Sequence, residues 1–182
     1  MSFSVAVTAV GRDRPGIAAS VAEALFSAGA NLEDCSMSIL AGEFAVILIA
    51  KVEDEARLEK VETQVRIATD ALGLTISFRR LSPAESVRKG SRGRPFTISV
   101  YGADRPGILA RVTRLLAEAG VNVTDLDTHL AAGGGGAGIY TMLLEVDVPP
   151  GVDVTALETD LRRVGDELSV DVRINTVDAD VL

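Results

Sequence analysis

The stretch "GRDRPGI", Gly11 to Ile17, recurs as "GADRPGI", Gly102 to Ile108, 91 positions later (102 − 11 = 91). A catalytic loop is normally needed once; a backbone feature shared by two half-molecules is needed twice. The likeness continues outward at the same displacement, where "SAGANLED" (Ser27–Asp34) answers "EAGVNVTD" (Glu118–Asp125). Further on, "FAVILIAKV" from Phe44 answers "YTMLLEVDV" from Tyr140 at a displacement of 96 (140 − 44 = 96). The five extra positions fall in "AAGGGGAG", Ala131–Gly138, a lengthened turn. An insertion at a turn, with register kept on both sides, points to two copies of one folded unit.

Each copy reads alike. "FSVAVTAV" and "FTISVYG" are β-rich runs bounded by glycine and predict first strands. Helical spacing follows, with Ile17, Val21, Ala24, Leu25 and Ala28 on one stripe and Ile108, Val112, Leu115, Leu116 and Ala119 on the other. Gly29 and Gly120 suit the left-handed turns that end helices. Strands are predicted at Asn31–Leu40 and Glu43–Val52, joined at Ala41-Gly42, and again at Asn122–Ala131 and Ile139–Val148. Second helices carry Leu58, Val61, Val65, Ala68 and Leu72, then Leu157, Leu161, Val164 and Leu168, before the closing strands "LTISFRRL" and "LSVDVRINTV". The order βαββαβ, twice, predicts an α+β chain of two ferredoxin-like units. Each would be a four-stranded antiparallel sheet with both helices on one face and its first and third strands central. The expected division is 1–81, a linker at 82–94, and 95–182.

The 182 residues suit two small domains, and 47% hydrophobic with 24% charged residues is ordinary for a chain that buries a core. With a net charge of −8, general affinity for a nucleic-acid backbone is not expected. The basic run Arg79–Pro95 reads as a solvated tether. One cysteine, Cys35, excludes an internal disulfide framework. No apolar run approaches the roughly 20 residues of a membrane-crossing helix, and the N-terminus starts directly with an alternating strand. A cytoplasmic protein without membrane attachment is therefore expected.

Within the repeated turn, Pro15 suits a first helical position and Asp13 can accept from free amides there. Gly16 has no such local reason, and the absence of a Cβ would let another group, a packed backbone or a bound carboxylate, approach the helix start. This "DRPGI" turn, followed by Gly-x-Asn-hydrophobic-x-Asp at the next strand, resembles the ACT domain, a regulatory amino-acid-binding module. The tandem arrangement, over roughly 3–80 and 95–177, resembles that of the glycine cleavage system transcriptional repressor group. The resemblance implies ligand sites at seams between ACT domains. By position it marks Asp13, Gly16, Ile17 and Asn31 in the first copy and Asp104, Gly107, Ile108 and Asn122 in the second. Helix-start amides suit a ligand's carboxylate, and the oxygens of Asn or Asp suit its ammonium. Aligned edges of the second strands would bring the Asn-bearing corners toward the helix starts. Val46, Leu48 and Ala50 alternate with Ile47 and Ile49, so both faces of the third strand are apolar; a cover on the helix-free face, either the other unit or a second chain, is expected, and with it a homodimer.

Other signals carry less. "GGGGAG", Gly133–Gly138, lies between strands with no helix after it and cannot cradle phosphates. Asp125 and Asp127 share a strand face without a third ligand, His129 lacks a nucleophilic partner, and Cys35, aligned with Leu126, is expected to pack as a small apolar residue. Arg14 and Arg105 are helix-start arginines that could meet a partner. No cofactor, metal or catalytic residue is expected. The resemblance implies a non-catalytic regulator that binds an amino acid and acts on a protein partner, a transcription regulator, with any effect on DNA indirect. Two rival readings are a regulatory subunit of an amino-acid-metabolic enzyme and an interaction module without a ligand.

Overall fold

Small and β-branched residues alternate along Phe3–Arg12 and form the strand β1, with Val5, Val7 and Ala9 buried on one face. The computed structural model describes residues 2–86, 93–132 and 138–177. Helix α1, Ile17–Ala28, buries Ile17, Val21, Leu25 and Ala28 and ends at Gly29 with φ 83°. Strands β2, Asn31–Leu40, and β3, Glu43–Val52, follow, and between them Ala41 and Gly42 both take positive φ (52° and 84°). Two successive left-handed residues make the tight turn whose twist matches an antiparallel hairpin. Helix α2, Glu55–Ala71, and strand β4, Thr75–Arg80, complete the unit.

The same order returns as β5 (Arg94–Ala103), α3 (Ile108–Glu118), β6 (Asn122–Ala131), β7 (Ile139–Val148), α4 (Val154–Leu168) and β8 (Val170–Thr176). The sheets are ordered β2-β3-β1-β4 and β6-β7-β5-β8 with every pairing antiparallel. This is the expected βαββαβ plan, twice. The chain divides into two compact units, Met1–Arg88 and Lys89–Leu182. Each has its own core, one around Val7, Leu25 and Leu48, the other around Ile98, Leu116 and Leu144. Ser82–Ser86, within the expected linker, make one turn in which the Ser82 amide and hydroxyl both donate to Glu85. Those two hydrogen bonds, with the Arg79 guanidinium 2.7 Å away, lower the Glu85 carboxyl to about 2.

On the helix-free face of the third strand, Ile47 is 55% exposed and Ile49 half-buried, so this unit by itself leaves that apolar face open. One expectation changes. Cys35 does not pack as a core residue. It lies on the helix side of β2, opposite Leu48, yet all ten residues of this edge strand are exposed, because the helices reach only part-way across the sheet. The glycine run at 133–137 lies outside the described residues. No helix among the described residues is long and apolar enough to cross a membrane.

Candidate functional site

The repeated heptapeptide is a β-to-α turn whose two glycines have different reasons to be there. Gly11 ends β1 where the chain closes on the start of β4, and a Cβ there would come within 2.7 Å of Leu74 Cδ2. Gly102 is its counterpart, where a Cβ would lie 2.8 Å from Val170 Cγ1. Gly16 and Gly107 both take φ 94° and are the N-caps of α1 and α3, with nothing within 4 Å of a Cβ built on either. Backbone conformation by itself requires a glycine at Gly16, and the close approach within the unit belongs to Gly11.

Helix α1 begins at Ile17, so Pro15 lies in the turn and not at the first helical position. Asp13 does not cap the helix by its side chain; its amide donates to the Gly42 carbonyl at 2.8 Å, and Asp104 donates likewise to Gly138 at 3.0 Å. These bonds tie each turn to the adjacent hairpin. Arg14 Nη2 lies 3.5 Å from the carbonyl oxygen of Ala71, in the last turn of α2.

The consequence is an open helix start in each unit. The first intrahelical bonds run from Ser20 to Gly16 and from Arg111 to Gly107, which leaves the amides of residues 17–19 and 108–110 without an acceptor in the helix. No side chain caps either. The second helices contrast with this, since the carboxylate of Asp54 accepts from Arg57 in α2 and that of Asp153 accepts from Thr155 and Ala156 in α4. Among the described residues, α1 and α3, the two helices that follow the repeated turn, thus keep their first amides and positive dipole ends without a side-chain cap.

Asn31 and Asn122 do not lie beside these helix starts in their own units. Asn31 pairs with Lys51 at the foot of the sheet, where β1 begins, whereas the turn lies at the opposite end beside Glu43. The 12-residue α1 separates them by about 18 Å. Asn122, paired with Asp147, has the same placement. Both asparagines are exposed, and each precedes a β-bulge, between Leu32 and Asp34 and between Val123 and Asp125. Bulges of this kind turn edge residues out of the ladder.

Tyr140 is a polar group at the second corner that the sequence reading passed over. Its hydroxyl donates to Met142 Sδ at 3.7 Å, and burial, then the nearby Asp104 carboxylate, push its pKa up. Phe44 holds the equivalent place in the first unit, so the added hydroxyl was visible in the aligned repeats. Asp125, Asp127 and His129 are exposed on the helix-free face of β6, and no metal-binding cluster occurs among the described residues.

Comparison with known proteins agrees with this architecture. A family model described as ACT domain matches residues 4–79 and 94–175. The chain is 26% identical over 178 residues to the glycine cleavage system transcriptional repressor of Escherichia coli, covering 94% of this chain and 88% of that one. It is 33% identical over 85 residues to a UPF0237 protein of Methanosarcina mazei, covering 46% of this chain and 87% of that one. A solved structure of an unknown protein from Galdieria sulphuraria is 29% identical and superposes with a TM-score of 0.82 over 98% of this chain and all of the other.

Proposed function

We propose, from the premise that this chain belongs to the ACT-domain family, that it is a non-catalytic regulator that binds an amino acid at sites completed between ACT units. The observation that carries the reading is the pair of open helix starts at Gly16 and Gly107 beside second helices that are capped. A ligand carboxylate fits such donors and the positive dipole end. The ammonium finds its partner in Asn31 or Asn122, and because these lie at the far end of their own sheets, the partner comes from another unit. If two edge strands of the β2 type pair antiparallel, the Asn end of one meets the hairpin end of the other. Asp13, Ile17, Asp104 and Ile108 then frame the ligand.

Exposed edges and the apolar face around Ile47 favour assembly into a homodimer. Ligand occupancy alters that assembly and so the contact with a protein partner. The full-length similarity to a transcriptional repressor supports a transcription regulator as that partner. A thermal-shift screen against the twenty amino acids tests the reading. At 100 times its dissociation constant, one of them adds about 2.7 kcal/mol to stability. A melting temperature that none of the twenty moves would contradict it and favour an interaction module without a ligand.

A further inference from the structure

The helix pair closes in the first unit and parts in the second. Phe78 faces Val7 and Ile174 faces Ile98, so β4 maps onto β8 at a displacement of 96 (174 − 78 = 96). The same displacement carries the buried Val61, Val65 and Thr69 of α2 onto the buried Leu157, Leu161 and Gly165 of α4. A Cβ at Gly165 would lie 2.8 Å from the Val170 carbonyl oxygen, so glycine lets α4 settle close against β8. A groove of about 470 Å³ is left between α3 and α4; Leu115, Ala119 and Leu157 give it apolar walls, and Glu118, Asp160 and Arg163 are among its charged lining residues.

In the first unit the same place is filled from within. Arg57, the counterpart of Asp153, lays its guanidinium against Gly29, where a Cβ would collide with it; at the equivalent Gly120 a Cβ would meet nothing within 4 Å. Gln64, the counterpart of Asp160, has its Oε1 buried. Charge changes with the space. The first unit has Ser27, Arg57, Lys60, Gln64 and Ile67 where the second has Glu118, Asp153, Ala156, Asp160 and Arg163. The place that one unit plugs with its own arginine is, in the other, open and lined by the carboxylates of Glu118, Asp153 and Asp160 with one guanidinium, that of Arg163, held by Asp160.

We propose that the groove between α3 and α4 binds a guanidinium or ammonium group on an aliphatic stem, the chemistry of a free basic amino acid or of such a residue presented by a peptide. Leu115, Ala119 and Leu157 accept the stem, as apolar surface does for a snorkelling arginine. The carbonyl end of α3 and the carboxylates of Glu118 and Asp160 face the cation. Asp160 already accepts from Arg163 at 2.7 Å, and Asp153 Oδ1 is held by the amides of Thr155 and Ala156. Glu118 is therefore the carboxylate most available for a direct contact. The volume lies in the usual range for small-ligand sites, about 300–1,000 Å³. This inference concerns the second unit alone and does not rest on the open helix starts.

Isothermal titration with L-arginine, with a capped tripeptide centred on arginine, and with neutral citrulline tests it. Arginine, free or in the peptide, is expected to bind with an affinity that falls with added salt, and citrulline not to bind; which form binds identifies the source. Glu118→Gln should weaken binding about tenfold, the loss of one charge-assisted hydrogen bond. Ala156→Phe, at an exposed position whose folding a melting curve verifies, should abolish binding by filling the groove. Failure of both arginine forms to bind, or binding indifferent to Ala156→Phe, would overturn the proposal.

Discussion

Gly16 and Gly107 owe their identity to a positive φ in open space, a cause no neighbouring atom supplies. Gly16→Ala and Gly107→Ala should each cost about 1–2 kcal/mol, read as a lower denaturation midpoint in urea, because an L side chain is strained there. An unchanged midpoint would mean that the turn relaxes out of the left-handed region. Tyr140 gives a second test at this scale. Its ordinary pKa of 10.0 is raised in the folded chain by burial and by Asp104, so between that value and the folded one the unfolded chain holds fewer protons. Stability should therefore be intact below pH 10 and fall as pH rises through the folded value. Thermal melts from pH 9 upward should show a shallower decline in Tyr140→Phe than in the parent chain. The residue-level causes were only half legible in the sequence. That Gly16 called for a special reason could be read, but that Gly11 is the one that meets a neighbour depends on where β4 begins.

Elements were more legible than residues, because apolar periodicity and glycine punctuation act locally. Every strand and helix was predicted, along with the strand order, since right-handed crossovers leave few arrangements of βαββαβ. Placement across the sheet was less legible. Cys35, Met37 and Ile39 alternate as an inward-facing row should, yet two helices do not span four strands, so the outermost strand keeps that row exposed. The close seating of α4 on β8 was likewise hidden, because the sequence does not show that a Cβ at Gly165 would meet the Val170 carbonyl and the Val172 side chain. Gly165→Ala should push α4 from β8 and destabilise the second unit by about 1–3 kcal/mol, measured by thermal or chemical denaturation. A neutral outcome would show that α4 shifts without cost.

For the whole molecule, the repeat means that each half carries one open helix start and, at its other end, one asparagine. Neither half brings the two together. That separation was not legible from the shared displacement of 91; it required the register that sets Asn31 opposite Lys51 and the helix start beside Glu43. Under the proposed function the ligand site is completed from another unit, which links occupancy to assembly. The most direct test is calorimetric titration of the most stabilising amino acid into the parent chain and into Asn31→Ala and Asn122→Ala. The account predicts that affinity drops about tenfold or more in at least one variant while both keep the parent's melting temperature without ligand. Identical affinity in all three proteins would contradict it.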